Sequence, residues 1–349
     1  MFFKMIELFF KKFLLIYDEN SDLSILGLLH CSFMKILHVL LTRMPIPPTK
    51  YGGTERVLWA LYQGQTALGH QVRFLLKANA NHAPYVQVFD ESKPLHEQID
   101  DWADMVHFHF PYEGELHKPF VCTEHSNSEV EKEFPINTIY LSSKHAENNH
   151  ATCYVHNGLY WPDYGEPNFK PKDYCHFLAK ASWRIKNLQG AVRIAKKANK
   201  PLHILGGNRF NIRRNPYCYL SSRLHFHGMV GGVKKNELIA NSQALIFPVL
   251  WHEPFGLAVI ESLYLGCPVF ATPFGAMSDI VTQEVGLLSD SYAVLSEALK
   301  DVAQFDRLAC HEHAKRHFSH LSMSNAYLDC YEKVLAGESL NPSRPKIKY

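Results

Sequence analysis

The chain has 349 residues, of which 46% are hydrophobic and 20% are charged. This composition is typical of a globular protein of about two domains. The 36 basic and 34 acidic residues leave a net charge of +2, which gives no electrostatic reason to expect nucleic acid as a partner. The eight cysteines include no C-x-x-C pair, so the sequence favours neither a disulfide framework nor a zinc module. We therefore expect reduced thiols and a cytoplasmic location.

The first 33 residues are apolar and basic, but charged side chains interrupt them. No stretch among them reaches the ~20 apolar residues that a membrane-spanning helix needs. One interpretation is an amphipathic segment, with phenylalanines on one side and lysines on the other, which would permit peripheral contact with the inner face of a membrane. The other is an extension ahead of the first domain. We prefer the extension, because "MKILHVLLTR" from Met34 has the pattern of a first strand with its own initiator methionine.

A regular alternation of strands and helices begins at Met34. An apolar strand from Ile36 to Leu41, a Pro/Gly loop, a helix from Thr54 to Leu68 and the strand "QVRFLL" form a βαβ unit. Further strands are predicted at Met105 to Phe110, Phe120 to Thr123, Thr138 to Leu141 and Thr152 to Val155, and then at Tyr174 to Ala179, Leu202 to Leu205, Ala244 to Phe247 and Pro268 to Ala271. This alternation predicts an α/β protein with two doubly wound, mostly parallel sheets.

The prolines and turn formers of residues 161–173, "WPDYGEPNFKPKD", mark a linker between the two series. We predict a first Rossmann-like domain at 34–165, a second at 166–322, a last helix at 323–337 and a tail at 338–349. In open α/β sheets the ligand lies at the carboxyl ends of the strands, so the loops that follow strands should carry the site.

Two glycine-containing loops precede predicted helices. "YGG" comes before the helix at Thr54, and "EPFG", Glu253 to Gly256, comes before an apolar helix that begins at about Leu257. Glycine lets the backbone approach a ligand closely, and the free N–H groups of a helix start attract phosphate. For the first loop, a simple turn is the alternative. In the second, the N–H groups of Phe255, Gly256 and Leu257 would form an anion site.

Glu261 lies in the middle of that apolar helix, where an ionised carboxylate is costly unless it is paired or hydrogen-bonded. Two adjacent hydroxyls of a ribose would satisfy it, with the diphosphate of the nucleotide on the helix start. The alternative is a structural carboxylate bonded to backbone amides or to a basic residue. A third loop, "FLAKASWRIKNLQG", carries Lys180, Arg184 and Lys186 and is either the basic neighbour of a diphosphate or a solvated face.

Together these segments resemble the retaining glycosyltransferases of family 4, of the glycogen-synthase-like or group 1 type, which have the two-domain GT-B fold. The resemblance covers nearly all of Met34 to Gly337, and its most specific element is the E-x7-E motif from Glu253 to Glu261. In the first half, "PPTKYGGTERV", "DMVHFH" and "VHNGL" resemble the family's glycine loop, its strand ending in histidine and its Asn-Gly turn. "AYLDCYEKVLAG" resembles the last helix, which in this fold crosses back to the first domain.

The resemblance implies a donor-binding role for each matching residue of the second half. Glu261 would hold the ribose and Glu253 would contact the donor hexose. Phe255, Gly256 and Leu257 would offer N–H groups to phosphate and sugar, and the base would be read by the backbone at Val230. Lys186 matches the family's diphosphate-binding lysine. Lys180 stands where the family commonly has arginine, and because lysine cannot make the two-pronged contact of a guanidinium, Lys180 and Arg184 remain alternatives.

The resemblance also implies the reaction. His125 in "TEHSN" would face the transferred sugar, and Gly53 of the glycine loop would help to bind the donor. His125, Lys186 and Glu253 would be the catalytic residues. A hexosyl group would pass from a nucleotide-diphosphate sugar to a carbohydrate or lipid-linked acceptor with retention of configuration, in cell-surface polysaccharide or glycolipid synthesis. We expect neither a metal nor a further cofactor, since "DDWAD" lies before a strand and no D-x-D follows one. The alternative is a non-catalytic relative that binds nucleotide sugars.

Overall fold

The structure, a computed structural model, describes residues 33–48, 52–79, 82–128, 130–209 and 221–347. Residues 1–32, and with them the predicted extension or amphipathic segment, lie outside this part of the chain. Met34–Tyr349 forms one compact unit. No helix within the described ranges is both long and apolar enough to cross a membrane.

The first half of the unit alternates strands with helices. Its elements are β1 (Lys35–Leu40), α1 (Gly53–Ala67), β2 (Gln71–Leu76), β3 (Val86–Val88), β4 (Met105–Phe108), β5 (Phe120–Thr123), β6 (Lys132–Glu133), β7 (Thr138–Ile139) and α2 (Ser143–Asn148), with a 3-10 helix at Leu95–Gln98. Six strands form a parallel sheet in the order β3-β2-β1-β4-β5-β7. This is the strand order of a Rossmann fold.

The second half repeats the architecture. Its elements are β8 (Cys175–Leu178), α3 (Leu188–Lys197), β9 (Leu202–Leu205), β10 (Leu224–Phe226), α4 (Gly232–Ala240), β11 (Leu245–Phe247), α5 (Leu257–Tyr264), β12 (Val269–Ala271), α6 (Met277–Ile280), β13 (Gly286–Leu288), α7 (Tyr292–Lys300) and α8 (Arg307–His317), with 3-10 helices at Trp161–Asp163, Arg184–Lys186 and Val302–Gln304. The second parallel sheet has the order β10-β9-β8-β11-β12-β13, again that of a Rossmann fold. Two such sheets confirm the predicted α/β class.

Burial explains why the central strands could be predicted from sequence. In β1, Ile36 and Val39 are fully buried. In β11, Leu245 and Ile246 are fully buried and Phe247 is almost fully buried. Parallel strands carry helices on both faces and therefore read as continuous apolar runs. The strands β3, β10 and β13 at the sheet edges were not predicted. Each of them is only three residues long.

The last helix, α9 (His320–Leu335), packs on α1 and β5 of the first half. The contact is close at Gly64 of α1, where an added Cβ would lie 2.2 Å from Oγ of Ser324 and 2.6 Å from the backbone oxygen of His320. After α9 the chain stays on the first half, since β14 (Lys346–Ile347) pairs antiparallel with β6. The predicted domain boundaries themselves remain predictions.

One predicted strand, Thr152 to Val155, is wrong. The segment makes only an isolated bridge, between Tyr154 and Tyr140. The backbone N–H groups of Thr152 and Cys153 both donate to Oδ1 of Asn341, each at 3.0 Å. A side chain of the tail therefore takes the donors that a further strand would have paired.

Candidate active site

A cavity of about 540 Å³ opens between the carboxyl ends of the two sheets. Both halves line it, through the start of α1 and the loops that follow β5, β8 and β11. Of the residues predicted for the site, Arg184 does not line the cavity. The others do, and they are Gly53, His125, Lys180, Lys186, Val230, Glu253, Phe255, Gly256, Leu257 and Glu261. The fold thus brings together residues that are up to 208 positions apart, as from Gly53 to Glu261.

The turn before α5 is fixed from both sides. The backbone oxygen of Glu253 accepts a hydrogen bond from the N–H of Ala276 at 2.9 Å, and Ser142 Oγ donates to the oxygen of Pro254 at 2.8 Å. Because Ser142 belongs to the first half and Ala276 to the second, the turn lies where the halves meet.

The start of α5 has free donors. Gly256 has a φ of 108°, and a Cβ there would lie 2.9 Å from Cε of Met277, so the position favours glycine. Among the described residues, the backbone N–H groups of Phe255, Gly256 and Leu257 find no hydrogen-bond acceptor. A helix start with unpaired N–H groups at a cavity wall can bind an anion.

Glu253 and Lys186 form an ion pair beside this helix start. Lys186 Nζ lies 2.7 Å from Oε1 and 2.6 Å from Oε2 of Glu253, and Trp251 Nε1 donates to Oε2 at 2.5 Å. The two charged side chains are only 12% and 10% exposed. An ammonium group has three N–H donors, so Glu253 can orient Lys186 and still leave it a donor for a ligand.

The two alternatives for a second basic residue lie in different places. Lys180 is on the cavity wall, with Nζ 4.9 Å from the centre of the Trp183 ring. Arg184 is exposed, begins the 3-10 helix that leads to Lys186, and does not line the cavity. The structure therefore places Lys180, and not Arg184, at the site.

Glu261 has protein partners that the sequence did not reveal. It is 6% exposed, and its Oε1 accepts hydrogen bonds from Tyr164 Oη at 2.7 Å and from Lys235 Nζ at 2.5 Å. Burial lowers the pKa of Lys235, and the Glu261 carboxylate opposes this shift. Burial also raises the pKa of Tyr164, and the negative charge of Glu261 adds to the rise. The costly carboxylate is thus paired within the protein, and it still lines the cavity.

The first half supplies the opposite wall. Gly53 faces Leu257, whose Cδ1 would lie 3.5 Å from a Cβ at that glycine. Asn157, in the "VHNGL" turn, is 3% exposed and lines the cavity, yet its Oδ1 has no hydrogen-bond partner among the described residues. A buried amide oxygen without a partner is rare in folded proteins.

His125 ends a row of hydrogen-bonded histidines. Its Nε2 lies 2.9 Å from Nδ1 of His109, and His109 Nε2 lies 3.0 Å from Nδ1 of His38. The ring of His107 stacks on that of His109, with centres 4.1 Å apart. Burial lowers the pKa of His125 to about 3, helped by the nearby His145, so its imidazole is neutral at physiological pH.

Three of these histidines lie close enough together to hold a metal, with ligand atoms of His38, His107 and His109 within 4.8 Å of one another. Every one of their six ring nitrogens, however, has a hydrogen-bond partner in the protein. A metal would have to displace bonds that are already made, so the arrangement favours a hydrogen-bonded chain.

Sequence reasoning missed Lys235, Tyr164 and Asn157. "VKKNEL" reads as a solvated run, but Lys235 stands four residues before the fully buried Ile239 and so shares its face of α4. That periodicity could have indicated a buried lysine. Tyr164 lies in the predicted linker, where only the fold could reveal its contact with α5.

Residues 168–315 match the family model for "Glycosyl transferases group 1". At the sequence level, no curated protein matches the chain. The structure is similar to AviGT4, a glycosyltransferase involved in avilamycin A biosynthesis, with a TM-score of 0.72 and 21% identity over 87% of this chain and 98% of that one. It is also similar to sucrose-phosphate synthase from Thermosynechococcus elongatus, with a TM-score of 0.66 and 16% identity over 87% and 100% of the two chains.

A third similar structure is Anabaena HepE in complex with UDP and glucose, with a TM-score of 0.62 and 15% identity over 86% of this chain and all (100%) of that one. At these identities the likeness shows the fold, which is GT-B, as predicted. The family match over the second half confirms the predicted class of enzyme, a glycosyltransferase.

Proposed function

We propose that the protein transfers a hexosyl group from a nucleotide-diphosphate sugar to a hydroxyl acceptor with retention of anomeric configuration. One observation carries the proposal. The free N–H groups at the start of α5, the Lys186 ammonium group and the Glu261 carboxylate all line the same cavity. A diphosphate needs such donors and positive charge, and a ribose needs such a carboxylate. The complex of HepE with UDP and glucose supports a donor of this kind.

The donor would lie along the second half. Its ribose hydroxyls would bind the Glu261 carboxylate, which Lys235 and Tyr164 hold in place through Oε1. Its diphosphate would accept from Gly256 and Leu257, and its base would meet the backbone at Val230. The hexose would then lie between Glu253 and His125, which both line the cavity.

Departure of the diphosphate is the step at which charge must be stabilised. Lys186 would donate to the leaving phosphate, while Glu253 keeps its ammonium oriented by two contacts, at 2.6 and 2.7 Å. Lys180 also lines the cavity and adds positive charge. These charges and the start of α5 would bind the diphosphate without a metal ion, so donor turnover should survive a chelator.

The reaction we propose is a front-face displacement. The bond between C1 of the hexose and the phosphate oxygen breaks with its electron pair on phosphate, and the acceptor oxygen bonds to C1 on the same face. The acceptor proton passes to the departing phosphate. His125 is neutral, because burial lowers its pKa to about 3, and it would position the sugar through a hydrogen bond.

The acceptor would enter from the first half, where Asn157 and the loop at Gly53 line the cavity. We propose a carbohydrate or lipid-linked acceptor and a role in cell-surface polysaccharide or glycolipid synthesis at a cytoplasmic location. The expected role in such synthesis is the reason to include lipid-linked acceptors in any test.

Turnover of a donor panel tests the proposal. The full chain is incubated with UDP-, GDP- and ADP-hexoses, a mixture of saccharide and lipid-linked acceptors, and EDTA, and the released nucleoside diphosphate is measured. We expect release from one donor, a product whose anomeric proton signal matches the donor's configuration, and a large loss of rate in Lys186→Met. Lys300→Met, on the exposed face of α7, is the control. Nucleotide binding without turnover by any donor would support the non-catalytic alternative, and an inverted product would refute retention.

A further inference from the structure

Gln65 of α1 gives the row of histidines a direction. Its Oε1 lies 2.8 Å from Nε2 of His38, and its Nε2 lies 3.3 Å from the hydroxyl of Tyr331. An amide oxygen only accepts hydrogen bonds and an amide nitrogen only donates them. With the Gln65 amide in this orientation, His38 carries its proton on Nε2, which leaves its Nδ1 as an acceptor.

The direction passes from ring to ring up to the cavity. A neutral imidazole has one N–H and one acceptor nitrogen, so His109 Nε2–H donates to His38 Nδ1, and His109 Nδ1 is then an acceptor. His125 consequently donates through Nε2–H to His109. The nitrogen of His125 that remains for a ligand is Nδ1, without a proton.

The same chain continues on the far side of Gln65 into α9. Tyr331 receives the amide N–H of Gln65 and lies 2.7 Å from Nδ1 of His107, whose Nε2 lies 2.7 Å from Oγ1 of Thr123. The helix that docks on the first half therefore supplies a hydrogen-bond partner of Gln65. Gln65, His38 and His107 are all fully buried.

We infer that Gln65, His38 and His109 are positioning residues that hold His125 in a single tautomer, with Nδ1 as a hydrogen-bond acceptor for a hydroxyl of the bound sugar. The inference deepens the proposed function and rests on it for the role of His125. Nδ1 of His125, without a proton, can accept a hydrogen bond from a hydroxyl of the sugar. It cannot bond to a sugar atom that only accepts. The chain thus selects the orientation in which the hexose presents that hydroxyl.

The rings of the chain must stay neutral for this direction to hold. Burial lowers the pKa of His38 to about 4 and holds the pKa of His109 well below its usual range. The titratable rings around His125 are those of His107, His109 and His145. Burial holds the pKa of His107 well below its usual range and lowers the pKa of His145 to about 4. No ring in the set is charged near pH 7, so each has one donor and one acceptor.

The first measurement is ¹⁵N NMR of the full chain labelled in its histidine rings, with His125 assigned from the signals lost in His125→Gln. We expect a proton on Nε2 of His125, none on its Nδ1, and a coupling across the hydrogen bond to Nδ1 of His109. This result needs no substrate, so it stands apart from the proposed reaction. A proton on Nδ1 of His125, or on Nδ1 of His109, would overturn the inference.

The second measurement separates kcat from nucleotide binding. His109→Phe and Gln65→Met keep the volume of the side chain but remove the bonds, and kcat should fall about 10- to 100-fold. Affinity for the nucleoside diphosphate should stay unchanged, because its proposed contacts lie on the second half. His109→Asn should retain more activity than His109→Phe, since its side-chain oxygen can accept from Nε2 of His125.

The control is His203→Phe, which removes another contact between two histidine rings, 3.1 Å long, in the second half and should leave kcat unchanged. Wild-type kcat in folded His109→Phe and Gln65→Met would overturn the inference. So would an equal loss of nucleotide affinity, which would indicate general damage. Wild-type kcat in His125→Gln would instead refute the role of His125 in the proposed function, while the NMR result would still report on the chain.

Discussion

Replacement of Lys235 by methionine should destabilise the fold strongly. Lys235 Nζ lies 2.5 Å from Oε1 of Glu261, and both side chains are 8% exposed, so water screens the pair very little. Methionine fills most of the volume but removes the ammonium group, while the hydrogen bond from Tyr164 to the Glu261 carboxylate stays. Breaking a buried pair from one side costs about 3–5 kcal/mol, because an uncompensated charge stays buried.

The assay is urea unfolding of a double-mutant cycle, with Lys235→Met, Glu261→Gln and the two combined. We expect the combined variant to be at least about 2 kcal/mol more stable than the sum of the single losses, because no lone charge remains. Lys300→Met breaks an exposed pair with Glu297 at 2.6 Å and should change stability by no more than about 0.5 kcal/mol. Single effects that add within about 0.5 kcal/mol would refute the reasoning.

Three further predictions concern the site and its surroundings. Gly256→Ala should cost about 1–3 kcal/mol in unfolding experiments and weaken nucleotide binding in titrations, because φ is 108° and Met277 is close; unchanged values would contradict both. Asn157→Ala should lower kcat/KM while leaving the melting temperature nearly unchanged, since Oδ1 has no partner to lose; an unchanged kcat/KM would exclude Asn157 from substrate contact. Burial lowers the pKa of His176 to about 3 and of His145 to about 4, below the ~6.5 of unfolded chains. Stability should therefore be full above pH 6.5 and fall toward pH 4, by up to about 1.4 kcal/mol per pH unit for each histidine, and denaturation that does not depend on pH in this range would contradict these shifts.

The elements that could be predicted are those whose own sequence shows that they are buried. The apolar runs of β1, β9 and β12 are strands because helices cover both faces, and sequence alone shows this. The three-residue strands β3, β10 and β13 depend on the neighbour they pair with, so no local pattern marked them. Thr152 to Val155 failed for a similar reason, because Asn341, far along the chain, takes its backbone donors.

The same distinction holds at the site. The motif from Glu253 to Glu261 is local, and the fold places both residues on the cavity. The partner of Glu261 is not local, since Lys235 reaches it from α4 across the second half. Glu261 combines features of both interpretations: the carboxylate has a basic partner, as the structural interpretation expects, and it also lines the cavity, as the ribose interpretation requires.

The histidine chain shows most clearly where sequence reasoning ends. His107 and His109 were visible as alternate residues of one strand, but their meaning depends on His38 of β1 and Gln65 of α1. Only the parallel pairing of β1 with β4, and α1 across them, brings the rings into a row. The spacing of His107 and His109 in the sequence does not reveal this row.

Nucleotide binding tests the central claim most directly. UDP, GDP, ADP and their hexose conjugates are titrated without metal into the wild type, Lys186→Met and the combined Lys235→Met and Glu261→Gln variant, with Lys300→Met as the control. We predict that one nucleotide binds the wild type and the control equally, and binds each site variant at least about tenfold more weakly, as expected for a lost charge-assisted contact. If no nucleotide binds the folded wild type, or if all variants bind it equally, the proposed donor site at Lys186 and Glu261 is contradicted.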